Sequence, residues 1–144
     1  MWDFDGTDIM LEVDPENEGA FEEATANLVT NHDFAADSNW TKGTGWTISG
    51  GTASCDGSQS SNADLTSQNL TTQKDVQYEI TYTVSNYSAG TIKTRLSSGN
   101  DTSEQSSNGT FTEVITAAAT AGFTLRGNST FVGSVDNVTV KEYA

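Results

Sequence analysis

The chain has 144 residues, a mass of 15.3 kDa and a formal net charge of −14 at pH 7. This length suits a single domain, and the acidic charge argues against nucleic acid and anionic membranes as partners, because both bind cationic proteins. Only 34% of the residues are hydrophobic, and no apolar run approaches the roughly 20 residues that a membrane-spanning helix needs. The abundance of Gly, Ser, Thr and Asn favours short strands and tight turns over helices.

Residues 1–26 form an acidic arm that holds nine of the 20 acidic residues and none of the six basic ones. Such an arm is either a solvated tail or a segment that docks on a basic patch of another protein. A solvated tail has no need of large apolar side chains, and this arm carries Trp2, Phe4, Ile9, Leu11, Val13 and Phe21. We therefore predict a docking arm, extended over 3–13 for strand addition to a neighbour and with one helical turn within 18–26.

The pattern of the remaining residues predicts about eight strands, in each of which apolar and polar residues alternate between turn residues. The clearest is 76–84, where Tyr78, Ile80 and Tyr82 share one face. Gly50-Gly51 and Asn108-Gly109 suit two-residue hairpin turns. The predicted strand segments are 27–30, 46–49, 52–55, 63–70, 76–84, 91–97, 110–117, 122–126 and 133–142. The predicted fold class is all-β, a two-sheet sandwich preceded by the acidic arm.

Catalytic and metal-binding residue types are scarce in this sequence. His32 is the only histidine, and Asp33 beside it would point to the opposite face of a strand, so the pair predicts no catalytic triad. Cys55 is the only cysteine and is expected to pack as a small hydrophobe. No nucleophile, base and orienting group fall into a recognisable pattern, so we predict neither enzyme activity nor a cofactor.

The two ends of the main domain carry paired motifs. It opens with Asn-Leu-Val-Thr-Asn-His-Asp-Phe at 27–34, continues to Trp40, and closes with Val-Asp-Asn-Val-Thr-Val at 135–140. This bracket resembles the jelly-roll carbohydrate-binding modules of families four and nine, above all the diverged copies in structural proteins of tailed phages. The resemblance covers 27–143 and implies a core position for Trp40 or Trp46. It divides the chain into the arm, 1–26, and a jelly roll, 27–144.

The resemblance also implies binding residues. Such modules lay aromatic rings against sugars while polar side chains bond the hydroxyls. Tyr87 lies at a strand end and is the aromatic residue least committed to the core, so we predict a glycan contact at Tyr87 with Asn86 and Arg95. Asp136 matches the acid of the closing motif and is the candidate ligand for a structural calcium ion. Ala35 stands where the family has a glutamate, which removes one expected ligand.

These features favour a non-enzymatic virion protein of a tailed phage, a capsid decoration or cement protein. Its arm would dock on the major capsid protein, and its own copies would form a homotrimer on the capsid surface. The single Cys55 and a start without a signal-peptide pattern predict assembly in the reducing host cytoplasm. The alternative is a carbohydrate-binding module of a tail fibre or of a glycan-degrading enzyme, with cell-surface glycans as partners.

Overall fold

Ten strands build residues 26–143, the part of the chain that this computed structural model describes. The strands are β1 (Trp40–Lys42), β2 (Trp46–Ser49), β3 (Thr52–Asp56), β4 (Ala63–Ser67), β5 (Gln77–Ala89), β6 (Ile92–Ser97), β7 (Asn100–Asp101), β8 (Gly109–Thr116), β9 (Thr124–Gly127) and β10 (Val132–Glu142). Residues 1–25 of the docking arm lie outside the described residues, and with them the six apolar residues, the extended segment at 3–13 and nearly all of the segment predicted to hold a helical turn, 18–26. Among residues 26–143 there is no helix long and apolar enough to cross a bilayer.

The strands form two antiparallel sheets of five strands each. The first sheet has the order β8-β5-β10-β3-β2 and the second has the order β1-β4-β9-β6-β7. Successive strands repeatedly change sheet, so most neighbours within a sheet are distant in sequence. The prediction of an all-β, two-sheet sandwich is confirmed, with ten strands where about eight were expected. The two that sequence patterning missed, β1 and β7, are only three and two residues long.

Alternation in the long strand β5 contributes four side chains to the core. Tyr78, Ile80, Tyr82 and Val84 are buried, while the residues between them are partly exposed. This confirms the face assignment made from the sequence, although the strand continues to Ala89. β8 pairs with β5 only from Gln77 to Val84, so the end of β5 beyond Val84 pairs with β10 alone.

Two buried tryptophans belong to the core. Trp40 and Trp46 are both about 95% buried, as the motif resemblance implied. Trp40 packs against Phe34 with ring centroids 5.2 Å apart, and its indole N–H donates to Asn31 O at 3.2 Å. Trp46 donates from its indole to Ala63 O at 3.1 Å. Each ring therefore buries its apolar surface without leaving its single donor unpaired.

The opening segment 27–30 is not a strand, and that prediction was wrong. Leu28 N donates to Val140 O at 2.8 Å, which places the segment along β10. β10 is bulged here, since Asn137 has φ 52° and Val138 N donates to His32 O at 3.1 Å. A bulge interrupts the regular ladder, so the opening and closing motifs meet through isolated hydrogen bonds.

One of the two predicted hairpin turns forms. Gly50 and Gly51 join β2 to β3 with φ of 61° and 81°, the positive values that such a turn requires. Asn108-Gly109 makes no hairpin, because the segment before it crosses to the second sheet and pairs through Gln105 with Ile92. The Asn108 side chain instead accepts a hydrogen bond from Tyr87 N at 2.9 Å.

Candidate functional site

A pocket opens at one edge of the sandwich, between β8 of the first sheet and the segment that follows β7 of the second. We call it the edge pocket. About 200 Å³ of empty space, part of it open to solvent, lies between its lining residues, less than the ~300 Å³ at which drug-sized ligand sites begin. The lining residues are Ile80, Tyr82, Thr102, Ser103, Gln105, Phe111, Thr112 and Glu113.

Strand register sets the inner wall of the edge pocket. Phe111 lies opposite Tyr82, and Glu113 lies opposite Ile80, in the pairing of β8 with β5. Both β8 residues point inward, yet β8 is the last strand of its sheet, so Phe111 and Glu113 are only half-buried. The Phe111 and Tyr82 rings lie 5.8 Å apart at 50°, a tilted aromatic pair.

The Tyr82 hydroxyl is buried without a hydrogen-bond partner. The residue is 2% exposed, and its oxygen has no partner among the described residues. Burial raises the pKa of Tyr82, and the charge of Glu113 raises it further, so the phenol keeps its proton. A buried polar group left unpaired costs about 1–3 kcal/mol. Because this oxygen has almost no accessible surface, a ligand in the edge pocket would meet the Tyr82 side chain without reaching the hydroxyl.

The second wall comes from residues 102–105. Glu113 Oε1 accepts a hydrogen bond from Ser103 N at 3.0 Å, which ties the carboxylate to this wall. Among the described residues, Oε2 accepts no hydrogen bond and is open to a ligand. Gln105 is held by two backbone bonds to Ile92, at 2.8 and 3.0 Å. The Thr102 hydroxyl forms a hydrogen bond with the Thr94 hydroxyl at 2.9 Å, so it stabilises the wall and is less available to a ligand.

The residues predicted to contact glycans lie in different places. Tyr87 is half-buried against the core near the end of β5, and its hydroxyl donates to Gly90 O at 2.7 Å. Asn86 beside it is exposed in a left-handed conformation, with φ 53°. Arg95 belongs to β6 in the other sheet and is held by both carboxylate oxygens of Asp101, at 2.8 and 3.1 Å. The structure thus does not gather Arg95 with the other two, and a glycan contact at Tyr87 stays a prediction.

Asp136, the candidate calcium ligand, lies at the bulge of β10. Its Oδ1 accepts a hydrogen bond from the backbone N of Asn137 at 2.7 Å. Among residues 26–143 no group of three or more Asp, Glu, His or Cys side chains could hold a metal ion. Calcium takes six to eight oxygens, so these side chains do not assemble a calcium site. A calcium ion at Asp136 would depend on backbone carbonyls and stays a prediction.

One feature of the sequence indicates the sheet edge at which the edge pocket lies. In β8 the inward residues are Phe111, Glu113 and Ile115, so an acid occupies the apolar face of its strand. An inward-pointing charge is typical of an edge strand. Glu113 therefore marks β8 as an edge. Nothing in the sequence, however, indicates that residues 102–105 lie opposite it.

Comparison with known proteins supports the fold. No protein-family model matches the sequence, and no curated protein matches it significantly. The N-terminal cellulose-binding domain of Cellulomonas fimi β-1,4-glucanase C superposes with a TM-score of 0.54 at 14% identity, over 83% of this chain and 99% of that one. The shared feature is the β-sandwich. This likeness agrees with the carbohydrate-binding-module fold that the opening and closing motifs imply.

Two larger proteins contain a similar sandwich. An arabinose-bound α-L-arabinofuranosidase gives a TM-score of 0.55 at 12% identity over 83% of this chain. The enzymatically active domain of bacteriophage CBA120 tailspike protein 4 gives 0.53 at 17% identity over 81%. This chain spans only 27% and 21% of those two chains. At such identities the likeness establishes the fold alone, and the phage-type variant of the module stays a prediction.

Proposed function

We propose that the described domain is a non-catalytic carbohydrate-binding module and that the edge pocket is its ligand site. The observation that carries this proposal is the lining of the pocket, in which half-buried Phe111 lies near Glu113, whose Oε2 accepts no hydrogen bond from the described residues. An aromatic ring beside a free acceptor suits a ligand that has both an apolar face and hydroxyl groups.

The rest of the pocket suits a sugar. A sugar ring combines an apolar C–H face with hydroxyls that both donate and accept. Half-buried Phe111 supplies an aromatic surface, and Glu113 Oε2 supplies an acceptor. Ser103 and Gln105 add a hydroxyl and an amide on the second wall. An aromatic ring with a few convergent polar groups is the usual composition of a small-molecule site.

The absence of a second acid among the lining residues supports a non-catalytic role. Glycoside hydrolysis in most families needs two carboxyl groups, roughly 5 to 9.5 Å apart across the scissile bond. Glu113 is the single acid among the lining residues, since Glu104 of the 102–105 wall is exposed and does not line the pocket. A site with one carboxylate can bind and orient a sugar but lacks the acid–base pair.

The virion role remains a second candidate that rests on the sequence motifs and on the acidic arm. Capsid binding, the homotrimer and a location on the capsid surface stay predictions, because the arm lies outside the described residues. Co-purification of the chain with capsids in a fixed copy number would support them. A glycan-binding module displayed in many copies on a particle would combine both roles, since weak sites gain strength by avidity.

Retention of the full chain on a glycan array and on insoluble polysaccharides tests the proposed function. We expect binding with a Kd of about 10⁻⁴ M, because a shallow site covers only part of one sugar. Phe111→Ala should abolish retention without unfolding the domain. Tyr143→Ala is the matched control, since Tyr143 is 50% exposed and does not line the pocket.

Two results would contradict the proposal. If no glycan is retained at millimolar ligand, the domain is not a carbohydrate-binding module. If retention survives Phe111→Ala but is lost in Tyr87→Ala, the ligand site lies at the end of β5, as the sequence predicted, and not in the edge pocket.

A further inference from the structure

β8 is the longest open edge of the described sandwich. It is the last strand of the first sheet and has eight residues, whereas the other three edge strands, β2, β1 and β7, have four, three and two. It contains no proline or lysine, and its register with β5 has no bulge. Natural sheets usually protect an edge with short strands, proline, lysine or bulges, because an open edge can pair with another chain. Among the described strands, β8 is therefore the edge best suited to accept a further strand.

The hydrogen-bond pattern shows which backbone groups of β8 face away from the sheet. Ala117 N donates to Val76 O at 2.9 Å, which continues the ladder between β8 and β5 by one residue. In an antiparallel ladder, alternate residues bond to the same neighbouring strand. The backbone groups of residues 111, 113 and 115 therefore bond to β5 as well, and those of residues 110, 112, 114 and 116 point to the open side.

One end of this open side is already covered. Thr116 O accepts a hydrogen bond from Asn100 Nδ2 of β7 at 3.2 Å, which agrees with the direction deduced for its backbone. Among the described residues, the outward backbone groups of Thr110, Thr112 and Val114 have no hydrogen-bond partner. All three residues are exposed. The open edge thus offers three N–H donors and three C=O acceptors in one row.

The inward side chains of β8 determine what an added strand should carry. Phe111 and Ile115 are partly buried and pack against the core, and Glu113 lies between them with Oε2 free of hydrogen bonds from the described residues. Residues opposite these three in an added antiparallel strand would form non-hydrogen-bonded pairs, in which side chains approach most closely. Apolar side chains would cover Phe111 and Ile115, and a lysine or arginine would pair with Glu113.

Charge argues against this chain itself as the occupant. Pairing β8 with β8 of a second copy would cover both Glu113 carboxylates without supplying a cation, since the strand has no basic residue. The acidic arm, residues 1–26, has none either. Each added copy or arm would also bring like charge to a chain of net charge −14. A basic segment of another protein is attracted by the same charges.

We propose that β8 binds an extended segment of another protein as an added antiparallel strand, and that this segment carries a lysine or arginine with an apolar residue two positions away on each side. Main-chain hydrogen bonds to Thr110, Thr112 and Val114 hold the strand, and Glu113 selects the basic residue. The proposal does not rest on the glycan-binding function. A bound strand and a bound glycan would both use Glu113 Oε2, so they would compete for that atom.

Titration of the full chain with a capped peptide tests the proposal. The peptide Thr-Val-Thr-Lys-Thr-Val-Thr places two valines and a lysine on one face, and the control peptide has glutamate at its centre. Calorimetry should give a Kd of about 10⁻⁴ M for the lysine peptide and binding at least about tenfold weaker for the glutamate peptide. Amide hydrogen exchange at Thr110, Thr112 and Val114 should slow when the lysine peptide binds.

Three variants separate the backbone contribution from the charge. Thr112→Pro removes an N–H that faces away from β5, so no bond of the described sheet is lost. Thr112→Val is the matched control, because it keeps this N–H and, like the proline variant, loses the hydroxyl bond to Thr81. Thr112→Pro should weaken binding of the lysine peptide at least about tenfold, and Thr112→Val less than about twofold. Glu113→Gln should reduce the ratio between the two peptides at least about fivefold.

The opposite results would overturn the proposal. If the lysine peptide does not bind, or binds equally well to Thr112→Pro and Thr112→Val, β8 accepts no strand. If both peptides bind equally, or Glu113→Gln leaves their ratio unchanged, the partner needs no basic residue. If the Thr112 and Val114 amides are already protected in the free full chain, β8 is already paired, and sedimentation then distinguishes the arm of the same chain from a second copy. Should Thr112→Pro not fold, the two peptides and Glu113→Gln decide.

Discussion

Asn27 connects the start of the domain to its last strand through its side chain. Its Oδ1 accepts a hydrogen bond from Val140 N at 3.0 Å, and its Nδ2 donates to Val138 O at 3.3 Å. The same Oδ1 accepts from Val29 N at 3.1 Å. One amide side chain thus substitutes for the ladder that a regular first strand would form with β10. Asn27, the first residue of the opening motif, therefore has a structural role that the strand-like pattern of the sequence around it does not indicate.

Asn27→Ala should destabilise the domain by about 1–3 kcal/mol, because it removes two hydrogen bonds to β10 and leaves partly buried backbone groups unpaired. Asn27→Asp keeps the acceptor and loses the donor, so its loss should be smaller. Urea unfolding measures both. Ser106→Ala, at an exposed position, is the control and should change stability by less than about 0.5 kcal/mol. Equal stability of all three variants would show that the Asn27 side chain does not stabilise the domain.

The sequence predicted more of the fold than of the candidate site. Period-two alternation identified the strand at 76–84 and assigned Tyr78 and Tyr82 to the core correctly, because that pattern depends only on burial of one face. It could not show that Tyr82's oxygen lacks a partner, since this depends on which residues of the other sheet lie opposite. Ser103 reaches Glu113 only because β7 and β8 end up at the same edge of the sandwich. Local periodicity in the sequence does not indicate which distant residues come into contact.

Gly90 and Gly99 form a natural pair for testing close packing. Their φ angles are 77° and 78°, so alanine costs the same backbone strain of roughly 1–2 kcal/mol at either position. A Cβ at Gly90 would clash with the backbone of Phe131, whereas at Gly99 it meets open space. We expect Gly90→Ala to cost at least about 2 kcal/mol more than Gly99→Ala in thermal or urea unfolding. Equal losses of stability in the two variants would mean that the backbone around Phe131 shifts to accommodate the new Cβ at no cost in free energy.

Asp101 should make the domain sensitive to acid. Hydrogen bonds from Arg95, followed by those from Lys93, lower the pKa of Asp101 to about 2. The folded state thus holds the carboxylate charged where the unfolded chain, with a pKa of about 3.9, takes up a proton. The resulting stability is present above about pH 5 and is lost as the pH falls towards 2. We expect a loss of up to about 2 kcal/mol in urea unfolding over this range.

Asp101→Asn is the variant that tests this acid sensitivity. It should be less stable at pH 7 and should show a flatter dependence on pH between 5 and 2. Asp37→Asn is the matched control, because Asp37 is 52% exposed in its pair with Lys42, and surface pairs contribute little. A slope that is unchanged in Asp101→Asn would refute the role of the Arg95 pair.

At alkaline pH the domain should lose stability through two buried groups that can release a proton, the Cys55 thiol and the Tyr82 phenol. Burial raises the pKa of the Cys55 thiol, whose Sγ donates to Gln59 Oε1 at 3.4 Å, and burial likewise raises the pKa of Tyr82. The unfolded chain therefore loses these protons first, so stability is complete below about pH 8.5 and falls as the pH rises. Urea unfolding from pH 7 to 10.5 should show this decline. Cys55→Ser should flatten it near pH 9, and Tyr82→Phe should flatten it only above about pH 10. Stability that stays constant up to pH 10.5, or a decline that neither variant alters, would mean that neither group titrates differently on unfolding.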